Sequence, residues 1–181
     1  MASILKVNTI QDATNSTTAM SIDSSGRITT PARPVFLARK TSSDQQDGTT
    51  NTKITFSQVD INQGSNYDSS NSRFTAPVTG LYYFHINLRL GSVGSLRVFT
   101  FALYKNGSEL YGRMGGQGGG NDFNNNSSSG SDHPYASGST ILSLNANDYV
   151  EIFTGGEFQN NGTFQIQSAL GSSQFMGYLL G

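Results

Sequence analysis

The stretch Leu81-Tyr-Tyr-Phe-His-Ile-Asn-Leu-Arg-Leu90 decides the fold, because its side chains alternate with a period of two. Alternate residues of a β-strand share one face of a sheet, so this stretch predicts a strand with two different faces. One face carries only large apolar residues and belongs to a hydrophobic core, whereas the other begins apolar and ends polar, and we expect a neighbouring subunit to cover its apolar part. The core face consists of Tyr82, Phe84, Ile86, Leu88 and Leu90, and the second face of Leu81, Tyr83, His85, Asn87 and Arg89.

Similar short runs, rich in Val, Ile, Thr, Phe and Tyr, recur along the chain between clusters of Gly, Asn, Asp and Ser. This pattern is typical of antiparallel sandwiches and barrels. Because no helical periodicity separates the runs, parallel crossovers are excluded, and the sequence predicts an all-β antiparallel β-sandwich with jelly-roll connections. Further strands are predicted at Val35–Lys40, Ile54–Ile61, Val98–Lys105, Ile141–Leu144, Tyr149–Thr154, Thr163–Gln167 and Ser173–Leu180, with a turn at Asn106-Gly107.

The composition narrows the classes of function. Only 13% of the 181 residues are charged and the net charge is -1, so the chain lacks the basic surface by which nucleic-acid binders attract phosphate. It has no cysteine and two histidines, which excludes thiolate metal sites and gives poor support for a His-based triad or a multi-histidine metal site. We therefore predict that the protein is not an enzyme, uses no cofactor and binds no nucleic acid.

The sequence also argues against a membrane protein. From Met1 to Asn8 it lacks the basic flank and the apolar stretch of ~7–15 residues that a secretory signal needs. No apolar run approaches the ~18 residues required to span a bilayer, so we expect no membrane insertion.

Residues 1–33 have a different pattern from the rest of the chain. Apolar residues at positions 4–10 and 20–22 flank a polar run and precede the turn signal Asp23-Ser-Ser-Gly26, which predicts two short strands in an extended β segment. This segment has too little apolar area to offset the entropy of ordering it alone, so we expect it to dock onto another surface. Pro31 and Pro34 withhold two backbone donors and indicate a linker, after which residues 34–181 form the sandwich.

A low-complexity stretch runs from Gly112 to Gly138 and is dominated by Gly, Asn and Ser. Such a composition cannot build a core, so we predict a long exposed loop. Loops of this length are uncommon unless they are functional or disordered, and the sequence leaves both alternatives open. The candidate recognition residues in and beside this loop are Tyr111, Arg113, Gln117, Asn121, Asp122, Phe123 and Asn125.

Four motifs in the correct order resemble the C1q domain family, and the first two lie in the middle of the chain. Tyr67-Asp68 followed by Phe74-Thr-Ala-Pro-Val-Thr-Gly-Leu-Tyr-Tyr-Phe84 is similar to the family's aromatic-Asp pair and its F-x-x-P-x-x-G-x-Y-x-F signature. Leu103-Tyr-Lys-Asn-Gly107 resembles the strand and turn that follow this signature.

The other two motifs lie in the C-terminal third. Ser137–Leu144 together with Asn147-Asp-Tyr-Val150 resembles the family's S-G-x-x-x-L-x-L and G-D-x-V motifs. Asn147 stands where the family has glycine, but asparagine also tolerates a positive φ. Phe175-Met-Gly-Tyr-Leu-Leu180 resembles the closing strand, so the resemblance extends over nearly all of residues 34–181.

The resemblance implies a C1q/TNF-like jelly roll of ten strands that packs as a homotrimer about a three-fold axis. The sequence contains no collagen-like Gly-X-Y repeat, so the element that replaces the family's trimerising stalk is left open. The alternative for residues carried over to the interface is ordinary sandwich core. The residues carried over are Leu81, Tyr83, His85, Phe175, Gly177 and Leu179.

The N-terminal segment resembles a different group of proteins. Leu5-Lys-Val-Asn-Thr-Ile-Gln-Asp-Ala-Thr14, followed by Ser21–Pro31, is similar to the short leader of structural proteins of marine tailed phages, notably cyanophage-type fibre and appendage proteins. This resemblance implies that residues 1–33 anchor the sandwich to a virion and that the protein is made in the host cytoplasm. The candidate anchor residues are Ile4, Leu5, Val7, Ile10 and Ile22.

Together the two resemblances predict a phage virion structural protein, a homotrimeric C1q-like fibre, knob or tail-appendage component that contacts the host surface. Its expected partners are other copies of itself, other virion proteins through the N-terminal segment, and a glycan or protein of the host surface. Weak contacts repeated over several copies would suit such binding. The alternatives are a capsid decoration or connector trimer with a purely structural role and, less favoured by the sequence, a secreted C1q-like adhesin.

Overall fold

The structure, a computed structural model, describes residues 4–42, 45–47, 51–91, 99–110, 135–155 and 164–181. Within these residues the regular elements are β-strands, apart from a single-turn 3-10 helix at Ala169–Gly171. The candidate recognition residues between 111 and 125 lie outside the described residues. In chain order the strands are β1 Thr9–Gln11, β2 Thr18–Ile22, β3 Ile28–Thr29, β4 Val35–Arg39, β5 Gln45–Asp47, β6 Gln58–Gln63, β7 Tyr67–Asp68, β8 Arg73–Thr75, β9 Gly80–Gly91, β10 Thr100–Lys105, β11 Ser108–Glu109, β12 Tyr135–Leu144, β13 Tyr149–Gly155, β14 Phe164–Ile166 and β15 Gln174–Leu179.

Two antiparallel sheets form the sandwich. The first has the strand order β11–β10–β13–β8–β7. The second has the order β12–β9–β15–β4–β6, and β14 and β5 extend it beside the last residues of β9. Neighbours such as β9 and β15 are distant in sequence, which is the connectivity of a jelly roll rather than of consecutive hairpins. The predicted all-β antiparallel sandwich is therefore the observed architecture.

The core lies between the two sheets and is built mainly from aromatic rings. The residues of β9 that were predicted to face the core, at positions 82, 84, 86, 88 and 90, are fully buried. Phe36 of β4 stacks on Tyr67 with ring centroids 4.9 Å apart and meets Phe175 edge-on at the same distance. Burying one large apolar side chain stabilises a fold by about 1.5–3 kcal/mol, so this cluster is a main source of stability.

Two strands of the sandwich begin more than two residues from their predicted starts. The predicted strand Ile54–Ile61 begins only at Gln58, because the Ile54 and Phe56 amides bond outside any ladder, to the Ile152 carbonyl and the Ser72 hydroxyl. The predicted loop to Gly138 is too long, since β12 already begins at Tyr135. Ala136, the second residue of β12, pairs with Leu88 and is buried in the core.

One end of the sandwich, which we call the linker end, holds both the N-terminal linker and the C-terminus. The Leu81 amide at the start of β9 donates to the Gly181 carbonyl at 3.2 Å. The Leu179 amide donates to the Pro34 carbonyl at 3.1 Å, directly before β4 begins. The linker therefore enters the second sheet beside its last strand.

We call the opposite end of the sandwich the distal end. Several strands there end or begin next to a segment that lies outside the described residues. Tyr135 at the start of β12 pairs with Arg89 near the end of β9. Thr100 at the start of β10 pairs with Gly155 at the end of β13. The strand residues next to segments 92–98 and 156–163 therefore lie at the end remote from the linker. Tyr135, which follows segment 111–134, lies at the same end.

The predicted turn at Asn106-Gly107 joins β10 to β11 at the linker end. Both residues have positive φ, 51° and 80°, as a two-residue hairpin turn of type I′ requires. The Asp148 carboxylate accepts hydrogen bonds from Lys105 Nζ, Asn106 Nδ2 and the Asn145 amide, each at 2.7 Å. These bonds, with Lys105 first, lower the pKa of Asp148 to about 2.

The depressed pKa of Asp148 predicts a pH-dependent contribution to stability. A carboxylate whose pKa is lower in the folded chain stabilises the folded chain at pH values above the carboxylate's ordinary pKa of 3.8. That stabilisation disappears as the pH falls through about 2. We expect Asp148→Asn to unfold at lower urea concentration than the native chain at pH 7, and the two midpoints to converge between pH 4 and pH 2. Urea titrations at three pH values measure this, and a difference that persists undiminished at pH 2 would contradict it.

Candidate interaction face

The second sheet has an outer face, turned away from the core, and Leu81, Tyr83 and His85 lie on it as predicted. The β9 register places Ile141 of β12 beside Tyr83 on one side and Tyr178 of β15 on the other. Side chains on adjacent strands of one face are in contact range, so these residues form rows across the sheet. One row is Ile141, Tyr83, Tyr178 and Val35, and the next is Ser139, His85, Met176, Leu37 and Ile61.

The rows of the outer face form a largely apolar surface that the described residues leave partly exposed, although the Arg33 guanidinium lies 6.0 Å from the centroid of the Tyr178 ring. The exposed fraction is 49% for Leu81, 56% for Ile141 and 37% for Tyr178. The rings of Tyr83 and Tyr178 pack against each other with centroids 5.3 Å apart. Single exposed apolar residues are ordinary, but a continuous apolar patch on a sheet face indicates an interaction site.

The three interface residues predicted on the last strand lie on the wrong face. Phe175 and Gly177 pair with Ile86 and Phe84, and Leu179 pairs with Tyr82. Because directly opposed residues point to the same side of a sheet, all three residues of β15 point inward. Phe175 is fully buried, and Leu179 packs against the core. The prediction that Phe175, Gly177 and Leu179 line a subunit interface together with Leu81, Tyr83 and His85 is corrected accordingly.

Gly177 shows why the register has this parity. A methyl group added at Gly177 would approach the Phe84 ring to 2.6 Å and the Phe36 ring to 2.9 Å. Only glycine leaves room for both rings at this core-facing position, so the observed register requires glycine at position 177. The neighbouring positions 176 and 178 then carry the outer face.

Sequence reasoning missed the outer-face residues of the other strands. In β4 the run Val35-Phe-Leu-Ala38 is apolar at every position, and this double-sided pattern was the available signal that both faces of the strand are covered. On β15 the sequence Phe-Met-Gly-Tyr-Leu-Leu is likewise apolar on both sides, so parity could not be assigned without the register. The missed residues are Val35, Leu37, Ile61, Ile141, Met176, Tyr178 and Leu180.

Toward the distal end the outer face becomes polar. This agrees with the predicted change from apolar to polar residues along the second face of β9. The Asn87 amide donates to the Ser172 carbonyl at 3.0 Å. Arg39 and Asp60 form a two-pronged ion pair, in which the hydrogen bond from Arg39 lowers the pKa of Asp60. The rows of apolar residues therefore lie mainly in the half of the face nearer the linker, and Tyr135 is an exposed ring at the distal end.

The outer face of the first sheet is built differently. Glu151 is nearly buried and pairs with Lys53 at 2.6 Å and with Arg73 at 2.8 Å. The Arg73 guanidinium lies 3.8 Å from the centroid of the Tyr149 ring. Because these charges already satisfy one another, this face offers less apolar surface to a partner than the second sheet does.

Comparison with known proteins assigns the chain to a family. A family model of the C1q domain matches residues 35–180. The chain belongs to the C1q domain family. The match begins at the first residue of β4 and extends past the end of β15, so it covers the sandwich and leaves out the N-terminal segment. A search of curated proteins gives no significant match.

Solved structures share the C1q fold. The globular domain of zebrafish complement 1qA is 19% identical, with a TM-score of 0.55, and the match covers 82% of this chain and 98% of that one. Murine APRIL is 10% identical, with a TM-score of 0.54 and coverage of 82% and 99%. Eiger TNF from S. frugiperda is 10% identical, with a TM-score of 0.56 and coverage of 83% and 94%. At these identities the likeness concerns the C1q/TNF-like jelly roll alone.

Within the described residues, no cluster of three or more His, Cys, Asp or Glu side chains is placed to hold a metal ion. No helix in the same part of the chain is long and apolar enough to cross a membrane.

Proposed function

We propose that this C1q-family protein is a non-enzymatic structural module that works as a homotrimer through the outer face of its second sheet. The observation that carries the proposal is the uncovered apolar surface around Tyr83, Ile141 and Tyr178. Three copies around an axis would each present the same surface, and closed symmetry would leave none of it exposed. The polar half of the face toward the distal end would form the hydrated rim.

We further propose that the trimer is a phage virion component, anchored through residues 1–33 and directed outward at its distal end. The resemblance of the N-terminal segment to leaders of tailed-phage fibre and appendage proteins supports this role. The placement of the linker and the C-terminus at one end supports it too, because the other end then remains free for the host surface. Ile4 and Leu5, which are 79% and 82% exposed, are the candidate anchor residues with the most accessible apolar side chains.

The anchor role is tested by removing residues 1–31 and leaving Pro34 and the sandwich intact. We expect the truncated protein to be soluble, to associate as a trimer at high concentration through the outer face of the sandwich, and to be absent from purified particles, because the removed segment carries the anchor. The full-length chain expressed in the same host is the control. Incorporation of the truncated protein at the level of the full chain would contradict the anchor role.

The position on the particle separates a fibre or tail appendage from a capsid decoration protein. Electron microscopy of particles that carry the full chain, labelled with an antibody against the sandwich, locates it directly. We expect label on the tail or its fibres; label distributed over the capsid would overturn the host-contact role and leave the trimer proposal standing.

A further inference from the structure

The three short N-terminal strands form a sheet with one apolar and one polar face. Ile10 pairs with Met20 and Ile22 pairs with Ile28, so these four residues share a face. On the opposite face, Ser21 pairs with Thr9 on one side and with Thr29 on the other. Ile10 is 47% exposed and Ile28 is 62% exposed, so the described residues leave much of the apolar face uncovered.

The linker between this N-terminal sheet and the sandwich is held by side chains at the linker end. Arg33 donates to the carbonyls of Leu179 and Leu180 at 2.5 and 2.8 Å. Gln63 at the end of β6 donates to the carbonyls of Thr30 and Arg33 at 3.1 and 2.6 Å. These four hydrogen bonds involve both ends of the linker and restrict the distance that the N-terminal sheet can move from the second sheet.

The linker joins the N-terminal sheet to the outer face of the sandwich across a groove of about 420 Å³. Ile28 of the N-terminal sheet and Val35 of the outer face line this groove, together with Thr29, Thr30, Pro31, Arg33 and Gln63. The Arg33 guanidinium lies 6.0 Å from the centroid of the Tyr178 ring, so the linker lies beside the outer-face row of Val35 and Tyr178.

From these three observations we infer that the N-terminal sheets of three copies pack against one another and act as a trimerisation element beneath the sandwich. This inference rests on the proposed trimer, because an axis beside Tyr178 brings the three linkers together. The strand residues of the N-terminal sheet carry no charge, so three copies of its apolar face meet without like-charge repulsion. Ile10, Met20, Ile22 and Ile28 then face the axis, and Ile4 and Leu5 remain for the virion.

Cysteine cross-linking of the full chain tests the packing, because the native sequence has no cysteine. Ile10→Cys places a thiol on the apolar face, and Thr9→Cys, its matched control, places a thiol at an exposed neighbouring position on the polar face. Each variant is treated with a short bis-maleimide at micromolar protein concentration and then analysed on a denaturing gel. We expect the cross-linked dimer from Ile10→Cys to exceed that from Thr9→Cys about tenfold, since only paired thiols within reach react.

The sedimentation coefficient of each variant separates the possible failures. Equal cross-linking of the two variants, or none, in a chain that sediments as a trimer would overturn the inference and leave the proposed function intact. A chain that sediments as a monomer would overturn both. An Ile10→Cys thiol that reacts freely in the isolated trimer and is protected only in particles would show that a virion protein, rather than another copy, covers the face.

A second pair of variants measures the same contact without cross-linking. Ile28→Lys puts a charge on the apolar face, and Thr29→Lys puts the same charge on the polar face of the same strand. We expect Ile28→Lys to raise the dissociation constant of the trimer about tenfold and Thr29→Lys to leave it nearly unchanged, because only the first lysine loses its hydration on packing. Equal effects of the two variants would contradict the inference.

Discussion

Replacing Phe175 by alanine should lower the free energy of unfolding by about 3–5 kcal/mol, the usual cost of removing a fully buried phenylalanine ring. Phe175 is completely buried and its ring centroid lies 4.9 Å from that of Phe36, 5.8 Å from Phe56 and 5.9 Å from Phe84. The sheets cannot close over the cavity without disturbing these three rings. Since a domain is stable by only about 5–15 kcal/mol, urea titration should show a large loss of stability.

Tyr178→Ala is the matched control, because it removes an aromatic ring from the opposite face of the same strand. We expect this variant to change the stability of the folded subunit by less than about 1 kcal/mol and to weaken subunit association instead. The reverse result, in which Phe175→Ala dissociates the trimer and Tyr178→Ala unfolds the subunit, would contradict the assigned faces of β15. It would support the interface residues of β15 that the family resemblance implied.

Replacing Ile141 by aspartate should dissociate the trimer into folded monomers. Ile141 is exposed in the single subunit, so the carboxylate remains hydrated there and the fold is kept. In the trimer each copy would bury an unpaired charge beside Tyr83, at a cost of about 3–5 kcal/mol. That cost corresponds to a roughly 10²- to 10⁴-fold weaker association.

Sedimentation velocity and circular dichroism together test this variant. The control is Ser108→Asp, which puts the same charge on the exposed edge strand β11 of the other sheet. We expect monomers with an unchanged β-sheet spectrum for Ile141→Asp and trimers for Ser108→Asp. Trimers of undiminished stability in both variants would exclude the outer face of the second sheet as the interface.

Much of the sandwich could be predicted from sequence because its signals are local. The strict alternation from Tyr82 to Leu90 specifies a strand, and its core face can be identified from that strand's own sequence, without knowledge of the neighbouring strands. The Asn106-Gly107 turn was equally readable, since both positions require a positive φ. Asn147 also has a positive φ, 71°, as its place in the family motif suggested.

The candidate site could be predicted only in part, because it depends on pairing between distant residues. Leu81, Tyr83 and His85 were found from the parity of one strand, whereas the parity of β15 follows from its register against β9. In that register Gly177 lies against two rings that are far away in the sequence, and a larger residue would not fit. Both faces of β15 are apolar, so hydrophobic pattern alone gave no basis for choosing between them.

The N-terminal segment shows the same limit at a smaller scale. Two strands and the Asp23–Gly26 turn were predicted; the turn, with Gly26 at φ 78°, and the second strand are present, whereas the first strand is Thr9–Gln11 rather than the apolar positions 4–10. The third strand, Ile28–Thr29, is too short to have a periodic signal. It nevertheless decides the arrangement, because its pairing with β2 adds Ile28 to the apolar face.

Sedimentation equilibrium of the unmodified full chain at micromolar concentration tests the central proposal, self-association through the outer face, most directly. We expect a single species with three times the 19.4 kDa mass of the chain, because the C1q resemblance implies a trimer and closed symmetry covers the same surface on each copy. A stable monomer at every concentration up to the limit of solubility would contradict the proposal, since the apolar surface would then remain exposed to water.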